Sequence, residues 1–239
     1  MLLMAGLLGA QSASAALALD RTRVIFDAAA KSVSLDVRND NKRLPYLAQS
    51  WIEDINGKRM NNGALTVLPP VQRIEAGQKS QVKIQGLPAA AGLPQDRESL
   101  FYFNLREIPP RSDKPNTLQI ALQTRIKLFY RPAGIGYNEG NGHSNPAEQL
   151  TLTHVGAKYQ VNNPTPYYIT LLKASRTPSG PAVTGFEPLM VAPKSSATIN
   201  VSSSELGDRP VLSYINDYGG RPKLQFTCSG NTCQAKPIK

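Results

Sequence analysis

Hydrophobic and polar residues alternate one by one in short segments along much of the chain. The apolar positions of three such segments are Val33, Leu35 and Val37; Val82 and Ile84; and Phe101, Phe103 and Leu105. Alternation with a period of two is typical of strands that are buried on one face. The 19 prolines and 18 glycines are spread between the segments and supply turns. Many short strands separated by turns predict an all-β fold made of sandwiches.

The chain is long enough for two domains of this kind. Its 239 residues exceed the roughly 100–150 of a typical domain. Residues 134–146 are rich in Gly and Asn and lack apolar periodicity, which is typical of a linker. Strand patterns resume after it at Leu150 and Leu152, at Tyr159 and Val161, and at 167–172. We therefore expect one domain over 16–133 and a second over 147–239.

Residues 1–15, MLLMAGLLGAQSASA, have the composition of a leader for export. They are apolar and end in Ala13-Ser14-Ala15, an A-x-A cleavage pattern that predicts a mature start at Ala16. The segment is too short for a membrane-spanning helix, which needs about 20 apolar residues. No Lys or Arg precedes Arg21, so the positively charged start of such leaders is missing, and a few residues upstream would supply it. A buried N-terminal helix is the alternative.

Two cysteines, Cys228 and Cys233, stand close together near the C-terminus. In an exported chain this spacing favours a disulfide that closes a small hairpin between 223–228 and 233–236. Free structural thiols are the alternative. A zinc site would need further ligands, and the two histidines, His143 and His154, lie far away in the sequence.

The formal net charge of +10, from 27 Lys and Arg against 17 Asp and Glu, raises the question of nucleic-acid binding. The basic residues do not form a run, which favours a basic soluble surface and no nucleic-acid partner. Catalytic motifs such as G-x-S-x-G, H-E-x-x-H and the P-loop are absent. Gly134, Gly136 and Gly140 have the wrong spacing for a dinucleotide loop. We therefore expect a protein that is not an enzyme.

Residues 118–130, LQIALQTRIKLFY, carry the longest alternation. One face would hold seven side chains: Leu118, Ile120, Leu122, Thr124, Ile126, Leu128 and Tyr130. Thirteen residues predict a strand of about 43 Å, whereas most strands have about 5–6 residues. Either one end reaches a neighbouring domain, or part of the apolar face waits for a partner strand added by β-augmentation.

The chain contains longer motifs at 19–23, 39–41, 44–46, 69–73, 93–110, 126–132, 163–168 and 213–220. These motifs make the chain similar to the periplasmic pilus-assembly chaperone family. They lie along nearly the whole mature chain and are weakest over 134–149 and 173–210. The resemblance implies two immunoglobulin-like β-sandwich domains in an L-shaped, boomerang-like arrangement, without ATP, metal or another cofactor.

The resemblance also implies a role for 118–130. This segment would contain the last strand of the first domain and complete the fold of a pilus subunit, adhesins included, whose own sandwich lacks one strand. Leu118, Ile120 and Leu122, with Ile126 further along, match the residues that enter the subunit groove. An outer-membrane usher would be the second partner. In the free protein, a dimer capped through the same segment would cover the exposed apolar side chains.

Two sets of charged residues match the family by position. Arg23 and Lys127 correspond to the cations that hold the subunit's terminal carboxylate in the cleft between the domains. Glu98, Arg131 and Asp217 correspond to a salt-bridge network between the domains. Unrelated surface charges are the alternative for both sets.

A structural pilus subunit or adhesin remains the competing class. Such chains are single incomplete sandwiches with a donor extension at the mature N-terminus. This chain begins its first strand pattern within a few residues of Ala16 and has two strand-rich halves. The sequence therefore favours the chaperone.

Overall fold

Two separate hydrophobic cores organise the protein. The computed structural model describes residues 15–60, 63–113, 116, 118–137 and 145–238. One core is formed by residues between Leu17 and Tyr130, and the other by residues between Ala147 and Cys233. In the described part of the chain, no helix is both long and apolar enough to cross a membrane.

The N-terminal core lies between two sheets. Nine strands contribute to them: β1 Leu17–Leu19, β2 Arg23–Asp27, β3 Ser32–Asn39, β4 Tyr46–Glu53, β5 Leu65–Leu68, β6 Val71–Ile74, β7 Lys79–Gly86, β8 Ser99–Ile108 and β9 Gln123–Arg131. The four-stranded sheet has the order β1-β3-β7-β5, and the five-stranded sheet has the order β2-β9-β8-β4-β6. All pairs are antiparallel except β2 with β9.

The predicted alternation sets which side chains fill this core. Leu35 and Val37 of β3, and Val82 and Ile84 of β7, are fully buried, whereas the residues between them are exposed. Successive side chains of a strand point to opposite faces, so each strand contributes every second residue. The all-β sandwich prediction is confirmed.

The C-terminal core lies within one curled eight-stranded sheet. Its strands are β10 Thr151–Val155, β11 Lys158–Asn163, β12 Ile169–Ser175, β13 Leu189–Val191, β14 Ser195–Ser202, β15 Val211–Ile215, β16 Lys223–Ser229 and β17 Thr232–Ile238. The order is β13-β12-β15-β16-β17-β10-β11-β14. The two outermost strands, β13 and β14, contact each other, so the sheet closes around its apolar side chains.

Helices are short. The helix α1, Ser203–Leu206, begins with a capping box in which the Ser202 hydroxyl accepts from the Glu205 N–H and the Glu205 carboxylate accepts from the Ser202 N–H. The 3-10 turns are Ala28–Ala30, Pro88–Gly92, Ala133–Ile135 and Pro146–Gln149.

The predicted C-terminal hairpin is present. The strands β16 and β17 pair along their length, with Cys228 opposite Cys233. A disulfide joins these two residues, and the described residues include no free cysteine. The disulfide prediction is confirmed.

The expected strand over 118–130 is shorter than predicted. The strand β9 begins at Gln123, which pairs with Arg106 of β8. Beyond it, the Glu107 N–H still donates to the Leu122 carbonyl oxygen at 3.0 Å. The chain then reaches Pro109 and Pro110, which have no N–H to extend the ladder. Residues 118–122 therefore belong to no strand; we call them the donor segment.

Two expected regions lie largely outside the described residues. Of the predicted leader, 1–15, only Ala15 is described, and of the predicted linker, 134–146, residues 138–144 are not described. The leader and the linker boundaries stay predictions.

Candidate functional site

The strand β9 separates the N-terminal core from the C-terminal domain. Ile126, Leu128 and Tyr130 point into the N-terminal core. The residues between them point the other way: the Phe129 ring lies 5.6 Å from the Tyr168 ring, centroid to centroid. Every second residue of one strand is thereby directed at the space between the domains.

Arg23 and Lys127 lie side by side at this space. They are register partners on the parallel strands β2 and β9. Adjacent strands are about 4.8 Å apart, so the two backbones are close. Arg23 Nη1 donates to the Ile215 carbonyl oxygen at 3.2 Å, and Lys127 Nζ donates to Thr170 Oγ1 at 3.3 Å. Both contacts reach across to the C-terminal domain.

Within the described ranges, these two cations have no acidic side chain at salt-bridge distance. Among the described residues, neither Arg23 nor Lys127 makes a salt bridge, and the buried Arg23 Nε has no hydrogen-bond acceptor. Arg23 also lines an open cleft together with Arg21, Thr22 and Tyr218. Partly buried charges without a counter-ion are costly, so this arrangement favours binding of an anion.

The pKa values of both residues reflect this environment. Burial, followed by the nearby charge of Arg23, lowers the pKa of Lys127. Burial also lowers the pKa of Arg23, although the more distant carboxylates of Asp217 and Glu98 act against it. A bound carboxylate would reverse these effects because it favours the charged forms.

Arg131 forms ion pairs with residues of both domains. Its Nε and Nη2 donate to Glu98 Oε1 at 2.9 and 2.7 Å, and its Nη1 donates to Asp217 Oδ2 at 2.8 Å. The side chains of Arg131 and Glu98 are almost wholly buried. The three charges matched by the resemblance therefore meet in one network between the domains.

The environment of this network determines its pKa values. Burial alone would lower the pKa of Arg131, but the carboxylates of Asp217 and Glu98 raise it above its ordinary value. Burial raises the pKa of Glu98, against the charge of Arg131 and the N–H of Tyr168, which donates to Glu98 Oε2 at 2.8 Å. Glu98 also donates its own N–H to the Pro166 carbonyl oxygen at 2.9 Å. Glu98 is thus held from the C-terminal domain as well as by Arg131.

The donor segment presents its apolar residues to solvent. Leu118, Ile120 and Leu122 are 84%, 64% and 38% exposed. Ile126, expected to act with them, is only 8% exposed and belongs to the N-terminal core. That expectation is corrected: β9 has already joined the sheet at Ile126, so its side chain is covered by its own domain.

Four residues of the C-terminal domain complete the site and were not assigned roles from the sequence. The Tyr167 ring lies 4.9 Å from the Arg131 guanidinium carbon. Tyr168, Thr170 and Ile215 supply the contacts to Glu98, Lys127 and Arg23. The two tyrosines belong to the motif at 163–168, but nothing in their spacing indicates contact with Arg131 or Glu98 of the first domain.

Comparison with known proteins identifies the family of the chain. Residues 16–136 match the model "Pili and flagellar-assembly chaperone, PapD N-terminal domain", and residues 145–226 match "Pili assembly chaperone PapD, C-terminal domain". The chain is 51% identical to the chaperone protein PapD of Escherichia coli over 95% of this chain and 92% of that protein. It is 44% identical to the chaperone protein PmfD of Proteus mirabilis over 93% of this chain and 87% of that protein.

Solved structures share the fold. The periplasmic chaperone SfaE superposes with a TM-score of 0.67 at 31% identity, covering 89% of this chain and all of that one. The SafB chaperone of Salmonella enterica, solved in a complex with the SafA pilin, gives a TM-score of 0.73 at 27% identity, covering 91% of this chain and 99% of the matched chain. The chain belongs to the PapD-type family of pilus-assembly chaperones.

Proposed function

We propose that this protein is a periplasmic chaperone that captures unfinished pilus subunits, adhesins included, by lending them its donor segment. The observation that carries the proposal is the exposure of Leu118, Ile120 and Leu122. These residues lead directly into β9, whose residues on the same face are buried in the N-terminal core. Added to an incomplete sandwich, the segment would offer backbone hydrogen bonds and three alternate apolar side chains for pockets. Ile126 would stay in the chaperone's own core.

Arg23 and Lys127 would hold the terminal carboxylate of the subunit. Arg offers a planar fork of donors and Lys a compact charge, and together they would supply the missing counter-charge for one carboxylate. Holding one end of the added strand also sets its register. A slip of one residue would turn every side chain to the wrong face of the sheet.

The proposed cycle needs no catalysis and no cofactor. The subunit would fold on the borrowed strand, which a strand from a neighbouring subunit later replaces at an outer-membrane usher. Export by the predicted leader would put the protein in the periplasm, an oxidising compartment that suits the disulfide. In the free protein, a dimer capped through the donor segment would cover the same side chains, and sedimentation over a range of concentrations would distinguish monomer from dimer.

The decisive test removes each cation separately. We expect Arg23→Ala and Lys127→Ala to lose subunit capture, measured by co-purification of a pilus subunit from periplasm, while circular dichroism shows both variants folded. Arg73→Ala is the matched control because Arg73 is exposed and pairs with the exposed Glu75. Full capture by both site variants would refute the proposal that Arg23 and Lys127 hold the subunit's terminal carboxylate.

A further inference from the structure

A buried carboxylate near the donor segment was given no role in the capture proposed above. Glu107, near the end of β8, is only 5% exposed. Its Oε2 accepts the backbone N–H of Leu17 at 2.9 Å. This bond joins β1 of one sheet to β8 of the other, so it crosses the end of the sandwich.

The same carboxylate lies beside the predicted cleavage point and the donor segment. One cavity is lined by Ala15, Ala16, Asp40, Glu107, Ile120 and Leu122, with Tyr46 as a further wall. The Glu107 N–H donates to the Leu122 carbonyl oxygen, while the Ala16 carbonyl oxygen accepts the Asp40 N–H at 2.7 Å. The other acidic side chain here, Asp40, is already paired with Arg38. Glu107 is thus the carboxylate that faces the start of the mature chain without a cation partner among the described residues.

We propose that the α-ammonium group of Ala16, formed when the leader is removed, pairs with the carboxylate of Glu107 and so holds the N-terminal strand beside the donor segment. This inference rests on the export proposed above. The Ala16 nitrogen is one residue, at most about 3.8 Å, from the Leu17 nitrogen that Glu107 already binds. Before cleavage the Ala16 nitrogen is an uncharged amide. After cleavage it carries a positive charge and additional N–H donors.

Cleavage would then do two things at this cavity. It would remove Ala15 from the space beside Ile120 and Leu122. It would also give the buried Glu107 a charged partner, which strengthens a hydrogen bond relative to a neutral amide. Glu107 acts as a positioning residue: it touches the donor segment through its backbone and the mature N-terminus through its side chain.

The first test measures the pairing directly. Mature protein, with its start at Ala16 verified by mass spectrometry, is labelled with ¹⁵N-alanine, and the pKa of the α-amino group is followed by NMR. We expect Glu107→Gln to weaken proton binding by the α-amino group by about tenfold, because the opposite charge is removed while burial is unchanged. Glu75→Gln, at an exposed surface position, is the control and leaves proton binding unchanged. Equal values in the native protein and Glu107→Gln would overturn the proposal.

The second test begins with a protein that keeps every native residue, so its main comparison does not depend on the folding of Glu107→Gln. Protein with Gly-Ser added before Ala16 has an amide in place of the α-ammonium group. We expect it to capture a pilus subunit several-fold more slowly, and addition of Glu107→Gln to slow it little further, since both changes remove one interaction. Native capture rates in the extended protein would refute the positioning role. If the native protein itself captured no subunit, the proposed function would fail, yet the NMR comparison would still decide the pairing.

Discussion

At the scale of single residues, the site depends on two cations that have no counter-ion in the part of the chain that the structure describes. Arg23 and Lys127 donate to a carbonyl oxygen and a hydroxyl across the domain boundary; Arg23 is buried and Lys127 is half-buried. Neutral acceptors satisfy the hydrogen bonds but not the charge. The protein therefore carries an electrostatic cost in the free state that binding of a carboxylate would relieve.

This residue pair predicts a dependence of binding on alkaline pH. Because burial and Arg23 lower the pKa of Lys127, its charge is lost at a lower pH than that of an exposed lysine. We expect the affinity for a peptide with the C-terminal sequence of a pilus subunit to fall as pH rises through this range, as measured by calorimetry. Lys127→Arg is the control and should keep its affinity because arginine stays charged. A flat profile for the native protein would contradict the role of Lys127.

The free energy of unfolding should rise with pH over the same pH range in which the affinity for the peptide falls. The unfolded chain holds the Lys127 proton more tightly than the folded protein does, so the unfolded state binds more protons between the lowered pKa and 10.5. The contribution of Lys127 to the free energy of unfolding therefore rises with pH over this interval. Comparison with Lys127→Met by denaturant titration isolates that contribution, and parallel curves for the two proteins would contradict it.

At the scale of an element, one continuous alternation serves two purposes. Ile126, Leu128 and Tyr130 fill the N-terminal core, whereas Leu118, Ile120 and Leu122 remain exposed. The alternating residues change from exposed to buried where β8 ends, because Pro109 and Pro110 cannot extend the hydrogen bonds between β8 and β9. The length of the neighbouring strand therefore divides the alternation into a structural part and a part available to a partner.

A substitution in the donor segment should reduce subunit capture, whereas a substitution in β9 should reduce stability. We expect Ile120→Ser to change the free energy of unfolding by less than about 0.5 kcal/mol, since the side chain is exposed, while subunit capture falls strongly. Leu128→Ala removes a fully buried side chain and should cost about 2–5 kcal/mol of stability. Denaturant titration and co-purification measure the two quantities. A large loss of stability in Ile120→Ser would show that the donor segment belongs to the core.

At the scale of the whole molecule, the relative position of the domains depends on a buried network. Arg131, from the last strand of the first domain, binds Glu98 of its own domain and Asp217 of the second. The Glu98 backbone and carboxylate also contact Pro166 and Tyr168. A second ion pair between the domains, Lys194 with Asp96, lies exposed to solvent and is screened by water and salt.

The buried and the exposed pair should respond differently to mutation. Arg131→Leu leaves Glu98 buried without its cation, and we expect a loss of about 3–5 kcal/mol together with a wider distribution of domain orientations in small-angle X-ray scattering. Adding Glu98→Gln should recover part of the loss, because the carboxylate charge is removed. Lys194→Ala should leave both measurements at their native values. Native stability in Arg131→Leu would show that the network does not hold the domains.

Much of the architecture could be predicted from local pattern. Period-two alternation identified β3, β7 and β8, and the spacing of Cys228 and Cys233 predicted their hairpin. The start of β9 at Gln123 could not be predicted from its own residues, because the alternation extends back without interruption to Leu118. The limit comes from Pro109 and Pro110, which end β8, and they act on β9 only through the pairing of the two strands.

The sequence by itself determined the two-sandwich fold, the paired cysteines and, through its motifs, which charged residues to examine. Only the tertiary structure decided that Arg23 and Lys127 are neighbours with no counter-ion among the described residues, that Ile126 is buried, and that Glu107 accepts a hydrogen bond from the backbone of Leu17. The physical reason is the distance along the chain over which each kind of interaction acts. Alternation and turn chemistry act between residues a few positions apart, whereas burial and the pairing of charges depend on strands brought together from opposite ends of a domain.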